Sequence, residues 1–246
     1  MKKLILVLAL ALLGAVPAVA EDLVFPYGAV YFRKSNPPEE DWERDHKTAA
    51  EVGMNVMRHW YMWSAIEVEP GKYDWRNYDR MMELEAQNGI RVVIAEMITA
   101  APEWAFEKYP HARFLGSDDT VVHSSISGSS AVGGFPGLCL DNEDVRAKAE
   151  KFLVALMVRY RDHPATLCYD LWNENSFRGG SSSQMYCFCE ATQKKFREWL
   201  KKKYGTLEVL GRAWHRYSYA SWDNVRPTRN FSGYPESLDW VHVDHL

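Results

Sequence analysis

The sequence predicts an α/β fold of the (β/α)8 TIM-barrel class, with about the first half of the barrel, strands one to four, present in this chain. Three observations point there. Four short apolar runs of strand character alternate with three helical stretches, the pattern of parallel strands joined by right-handed crossovers. No G-x-G-x-x-G follows the first run, so an open dinucleotide-binding sheet has no support. Polar residues recur where the runs end, at Arg58, Glu96, Asn173 and Glu174, and a barrel gathers its active site at that rim.

The elements follow in order. Residues 1–20 read as a secretory signal peptide: Lys2 and Lys3 first, then the apolar run from Leu4 to Leu13, then Ala18-Val19-Ala20 as a cleavage site. The apolar core is too short for a comfortable membrane span, and the mature chain is expected in the periplasm or outside the cell. The first strand is YGAVYF (27–32). PEEDWERDHKTAAEVG (38–53) is a helix opened by Pro38 and acids and stopped by Gly53, with Trp42, His46, Ala49 and Val52 at helical spacing. NVMRHW (55–60) is the second strand. NYDRMMELEAQNG (77–89) is a helix with Tyr78, Met81 and Met82 on one side. RVVIAEM (91–97) is the third strand. A Gly/Ser-rich surface loop, 124–137, precedes a helix over 142–164 with Phe152, Leu156 and Tyr160 as its apolar row. TLCYDLWNE (166–174) is the fourth strand, and residues 190–205 form a helix stopped by Gly205.

Composition removes some functions. Without the leader the chain has 27 basic against 33 acidic residues, a net charge of −6, which argues against nucleic acid as a partner. After leader cleavage no segment is apolar enough to cross a bilayer. Ten Trp and thirteen Tyr are many for 246 residues; most are core, but aromatic faces also stack on sugar rings. Trp214, Tyr217, Tyr219 and Trp222 are candidates for that role or for packing.

The chemistry centres on Glu174, an ionisable acid placed where an apolar strand stops. Glycoside hydrolysis uses two carboxyl groups, one to protonate the leaving oxygen and one to attack the sugar carbon or activate water. Burial beside Trp172 would raise the Glu174 pKa and keep its proton on at neutral pH. Asn173 would hold a sugar hydroxyl. Asp170 faces the same way as Glu174 but lies about 13 Å deeper along the strand. Glu67, Glu69 and Glu103 fall in loops, and Glu96 ends the third strand. None suits the attacking role, so the chain as it stands is expected to be inactive or nearly so. His59 and His163 read as structural.

WNE at the end of the fourth strand resembles the acid/base motif of the retaining glycosidases built on (β/α)8 barrels. Three further stretches are similar to glycoside hydrolase family 42, the β-galactosidases: NVMRHWYMWSAIEVEPGKYDW (55–75), RVVIAEMITAAPEWAFEKYP (91–110) and FREWLKKKYGTLEVLGRAWHRYSYASWDNV (196–225). The resemblance implies that residues 21–246 are the N-terminal portion of such a catalytic barrel, acting on terminal β-galactosides by double displacement. It implies Glu174 as general acid/base, Arg58 and Asn173 as ligands of the galactosyl unit, and a nucleophile on a seventh strand that this chain does not reach. It implies no cofactor for the chemistry and a homo-oligomer, often a trimer. An endo-acting glucanase, mannanase or xylanase of the same clan, and a non-catalytic sugar-binding protein, are the alternatives; for Arg58 the alternative is a structural ion pair with a nearby acid.

The resemblance also implies a structural zinc on four cysteines. Cys139, Cys187 and Cys189 match three of its ligands, while Thr192 stands at the fourth, a poor zinc ligand. A disulfide from Cys139 to Cys187 or Cys189, or free thiols, are the other readings. Cys168, inside the fourth strand, is expected to be a small core residue.

Overall fold

The computed structural model describes residues 25–34, 36–125, 132–173 and 187–229. The leader at 1–20 and Glu174 lie outside the described residues. Gly28–Val30 (β1) opens the sheet, and its first residue has no room for a side chain: a Cβ there would sit 1.5 Å from the Val56 carbonyl oxygen. Trp42–Glu51 (α1) buries Trp42, His46 and Ala49. Val52, expected on the same stripe, is 57% exposed because the helix ends at Glu51 and Val52 is its C-cap.

Val56–Met62 (β2) leads into the short helix Trp63–Ile66 (α2) and an antiparallel pair, Glu67–Glu69 (β3) and Lys72–Tyr73 (β4). Glu67 and Glu69, expected in a loop, therefore begin and end a strand. Arg76–Gln87 (α3) buries Tyr78, Met81, Met82, Leu84 and Glu85. Arg91–Met97 (β5) has the bounds expected from the sequence, and Glu103–Lys108 (α4) follows it. Glu143–Tyr160 (α5) is capped by Asn142, whose side-chain oxygen accepts the N–H groups of Asp144 and Val145 at 3.1 Å each. Thr166–Asp170 (β6) is the last strand of the sheet, followed by Glu190–Tyr204 (α6) and Leu207–Trp214 (α7).

The sheet order is β1-β2-β5-β6, all parallel, as sequential β/α units require. Met57, His59 and Tyr61 of β2 share register with Val92, Ile94 and Glu96 of β5, and all six are buried. On the helix side the core gathers Phe32, Trp42, Tyr61, Tyr78, Met81, Phe152, Leu156 and Tyr160. Burying such aromatic and aliphatic side chains contributes about 1.5–3 kcal/mol each, the main favourable term of the fold. The alternate residues, Arg58 and Trp60 on β2 and Val93 on β5, are only partly buried and share register with Cys168 and Asp170 of β6.

The outer strands differ from the inner ones. All three residues of β1 are exposed, and in β6 Leu167 and Cys168 are exposed. Cys168, expected in the core, is exposed in these four strands, on the face away from the helices that a closed barrel turns inward. The fourth strand also stops four residues before its expected end. Trp172, at φ 87°, turns the chain away, so Asn173 sits in a loop beyond Asp170 rather than on the strand.

A smaller cluster joins Leu200, Leu210, Trp214 and Val225. Here the aromatic loop expected after α6 is partly a helix. Thr206 caps α7 by accepting the Val209 N–H at 3.2 Å, and Trp214 is 2% exposed. Trp214 is therefore a packing residue and not a sugar platform. Tyr217, at 74% exposure, remains on the surface. Of the loop over 124–137, residues 126–131 lie outside the described residues; Ser125, Gly133 and Gly137 are buried, and the Ser125 hydroxyl donates to the Ala101 carbonyl at 2.8 Å. Among the described residues no helix is long and apolar enough to cross a membrane.

Candidate active site

Three strands bring polar groups to one rim of the sheet. Arg58 leaves β2 on the face away from the helices and reaches across β5, where Ala95 is the small residue level with Asp170. Its Nη2 and Nε donate to Asp170 Oδ2 at 2.6 and 2.9 Å. Nη2 also donates to Asn173 Oδ1 at 3.2 Å. The guanidinium lies 4.0 Å over the Trp60 ring, a cation–π contact that fixes its plane. Arg58 is thus an ion-pair partner of an acid, one of the two readings the sequence left open, and it also neighbours the amide before Glu174. With its oxygen held by Arg58, the Asn173 amide presents two N–H donors. The Arg58 and Asp170 side chains are 19% and 35% exposed, so the pair is reachable from solvent.

Glu96 stands beside this group. It is 4% exposed, and its Oε2 accepts the Ile98 N–H at 2.8 Å. The Trp172 N–H lies near the same carboxyl. Burial pushes its carboxyl above the usual range; the two N–H groups oppose that in part, and the Asp170 charge adds to it. Glu96, Trp172 and Asn173 meet around a tight crevice, too narrow to hold a water molecule, with Met97, Ile98, Thr99 and Phe135. A larger groove of about 340 Å³ starts at Trp172 and runs along Leu138, Leu140 and Phe196 to Cys139 and Cys187.

The cysteines meet as their spacing suggests. Cys139, Cys187 and Cys189 are buried free thiols whose sulfurs all lie within 4.8 Å of one another. Thr192 Oγ1 closes the group, 3.1 Å from Cys139 Sγ and 3.6 Å from Cys189 Sγ. Hydrogen bonds from Cys139 and then Cys187 hold the Cys189 thiol far below its ordinary range. Three sulfurs converging on one point fit a thiophilic cation, with the Thr192 hydroxyl in the fourth direction.

One cluster escaped sequence reasoning. On the helix side, Glu85 Oε1 lies 3.0 Å from His46 Nε2 and 2.7 Å from His59 Nε2, and all three side chains are fully buried. Two histidines and a carboxylate suggest a metal centre, but the hydrogen bonds decide otherwise. The backbone N–H of Phe32 donates to His59 Nδ1 at 3.2 Å, so the His59 proton is on Nε2, where it donates to Glu85. A nitrogen carrying that proton cannot ligate a cation. His46 Nδ1 donates to the Trp42 carbonyl at 2.6 Å, and a second proton on Nε2 pairs it with Glu85 as an imidazolium. Burial alone would lower the His46 pKa, but the Glu85 hydrogen bond and charge reverse the sign and raise it. Burial alone would likewise raise Glu85; its two histidine partners bring it below the ordinary value. The signal was present in the sequence: Glu85 falls on the Tyr78–Met81–Met82 stripe of α3, His46 on the buried face of α1 and His59 on the buried face of β2. His163 is structural as expected, its Nδ1 accepting the Ala165 N–H at 3.2 Å.

Comparison with known proteins identifies the family of the chain. The family profile described as β-galactosidase, glycoside hydrolase family 42, matches residues 31–243. The chain belongs to glycoside hydrolase family 42. It is similar to the β-galactosidase LacZ of Heyndrickxia coagulans, 28% identical over 227 residues, covering 88% of this chain and 32% of that protein. Among solved structures, the cold-adapted β-galactosidase of Rahnella sp. superposes with a TM-score of 0.69 at 27% identity, covering 83% of this chain and 29% of that one. The β-galactosidase of Bacillus circulans sp. alkalophilus shares the fold with a TM-score of 0.68 at 23% identity, covering 88% and 31%. The chain spans about a third of the length of the family 42 relatives it matches, and its four parallel strands with their helices are part of an α/β barrel.

Proposed function

We propose that this chain is the acid/base-bearing part of an exported retaining glycosidase that acts on terminal β-galactosides. The observation that carries the reading is the Arg58–Asp170–Asn173 group, assembled from two strands and the loop that runs directly into Glu174. In this reading Arg58 and the Asn173 amide hold hydroxyls of the galactosyl ring. Glu174 protonates the glycosidic oxygen as the leaving group departs, then takes a proton from water in the second displacement. Asp170 keeps the guanidinium oriented and is occupied in doing so, which removes it from the attacking role. Turnover therefore requires a second carboxylate beyond those assigned here, and the 246-residue chain alone is expected not to hydrolyse galactosides.

Cys139, Cys187 and Cys189 would hold a structural zinc, which would tie the loop before α5 to the start of α6. Self-association follows from the family resemblance. Export follows from the leader.

The test uses the complete product of the reading frame, assayed on an aryl β-galactoside and on lactose. Glu174→Gln is expected to lower kcat at least about a hundredfold, the range of a lost general acid. Equal rates in both proteins would remove the acid/base assignment. Faster hydrolysis of a glucan, mannan or xylan than of galactosides would favour the endo-glycanase alternative.

A further inference from the structure

Arg58 crosses the sheet to make the rim group. Asp170 stands two strands away, about 10 Å at ordinary strand spacing, and two residues further along, since Trp60 pairs with Ala95 and Ala95 with Asp170. An arginine held in one extended direction gives up about 2 kcal/mol of rotamer freedom, so the span needs support along its length as well as at its end. Trp60 supplies that support. It is two residues from Arg58 on β2 and so on the same face, and its ring centroid lies 4.0 Å from the guanidinium carbon. Tryptophan is an unexpected choice for packing alone. Its Nε1 is buried with no hydrogen-bond partner among the described residues, a cost of about 1–3 kcal/mol that a phenylalanine would not carry. What the indole offers is the strongest of the aromatic faces toward a cation.

We propose that Trp60 is a positioning residue for the rim: its indole face carries the Arg58 guanidinium across β5, so that Asp170 and Asn173 share the Nε–Nη2 edge and Nη1 is left for a hydroxyl of the bound sugar. The Nε–Nη2 edge meets Asp170 Oδ2 at 2.9 and 2.6 Å, and Nη2 also meets Asn173 Oδ1 at 3.2 Å, whereas Nη1 has no partner among the described residues. The platform is itself fixed. The Trp60 backbone N–H donates to the Phe32 carbonyl at 2.8 Å, and the Trp60 carbonyl accepts the Tyr78 hydroxyl at 3.1 Å. Its side chain packs against Met62, Ala65, Met97 and Ala100. Without the ring, Arg58 would keep its charge and its acid partner but swing about that single anchor. The use of Nη1 rests on the reading of the rim as a galactosyl site; the stacking does not.

Two measurements separate these. In the 246-residue chain labelled with ¹³C-arginine, the δ-methylene protons of Arg58, assigned by their loss in Arg58→Lys, are expected upfield of free arginine because of the indole ring current, and Trp60→Leu is expected to return them to the free position. Arg58 protons at the free position in the unaltered chain overturn the stacking, and this result needs no variant to fold. In the complete reading-frame product, Trp60→Leu is expected to raise KM on an aryl β-galactoside about tenfold with kcat within about twofold, since Arg58 would hold the sugar before and in the transition state alike. Trp60→Phe keeps a ring under the guanidinium and is expected to hold KM within about threefold of the unaltered enzyme. A KM unchanged in Trp60→Leu, or raised equally by both variants, overturns the positioning role; a Trp60 that only packs would lower the unfolding midpoint and leave KM untouched. If Glu174→Gln leaves the rate untouched, the sugar-hydrolase reading fails, while the Arg58 protons still decide the stacking.

Discussion

The two faces of the sheet each carry a carboxylate held by nitrogen donors, and they put it to opposite uses. On the helix side, Glu85 receives His46 and His59 with every side chain fully buried. On the other side, Asp170 receives Arg58 while Asn173 waits beside it, and the pair keeps 19% and 35% of its side-chain surface. Burial explains the contrast. A sealed ion pair is held in a low dielectric, where loss of one partner strands the other. A half-open pair is screened by water and contributes little to stability, about 0–1 kcal/mol, but it can exchange part of its hydrogen bonding for a ligand. The first cluster specifies the core; the second is suited to bind.

That contrast can be broken at either end. The largest effect is expected from Glu85→Ala, which leaves two buried imidazoles without their acceptor. Unfolding in urea should show a loss of about 3–5 kcal/mol. A loss under about 1 kcal/mol would mean that the cluster is not the sealed ion pair described.

The pH dependence of stability sharpens the same point. The Glu85 carboxyl is held below its ordinary 4.5, against the effect of burial, by His46 and His59, so its contribution is present above about pH 4.5 and is lost as pH falls through the folded-state value. His46 is raised above its ordinary 6.5, so its contribution is present below about pH 6.5 and is lost as pH rises through the folded-state value. The neighbours that face the pair are Tyr31, whose ring meets His46 edge-on at 4.9 Å, and Asp45, which accepts the Tyr31 hydroxyl at 3.1 Å. The midpoint of urea unfolding is therefore expected to form a plateau that falls away on both sides, and Glu85→Gln should flatten both flanks. Flanks that persist in that variant would place the titration elsewhere.

The smallest stability effect is expected on the open face. In the 246-residue chain, Asp170→Asn should change unfolding free energy by no more than about 1 kcal/mol. The same variant should lower kcat/KM of the complete product on an aryl galactoside about tenfold or more, because Arg58 loses the partner that orients it. A change in stability without a change in kinetics would make the Arg58–Asp170 pair purely structural.

Much of this was legible in the residues. The third strand and the helices α1, α3, α5 and α6 follow from apolar periodicity, helped by the Gly stops after α1, α3 and α6. The rim residues Arg58 and Asn173 were readable because polar groups after apolar strands have few structural reasons to be there. What was not legible depends on contacts made at a distance. The fourth strand looked continuous to Glu174, since nothing in LWN marks a turn, yet Trp172 takes a φ of 87°. The hairpin of β3 and β4 is only five residues of pairing around Pro70-Gly71, and its anchor, Glu67 Oε1 accepting the Gly71 N–H at 2.7 Å, is a side-chain contact. Trp214 stayed open between packing and sugar stacking because the eight-residue α7 is too short for a clear period, whereas Thr206 marks its start. The Glu85 cluster went unseen because a polar residue on an apolar stripe was not taken as a sign of a partner on another element.

The most direct test of the central claim, that the rim group holds the sugar, is kcat/KM of Arg58→Lys on an aryl β-galactoside in the complete reading-frame product, read beside its thermal unfolding midpoint. A lysine keeps the charge but cannot reach Asp170 and Asn173 together from one planar fork. The expected result is a fall in kcat/KM of about a hundredfold or more, about 2.7 kcal/mol, with the unfolding midpoint within about 4 °C of the unaltered protein. An unchanged kcat/KM would contradict the account.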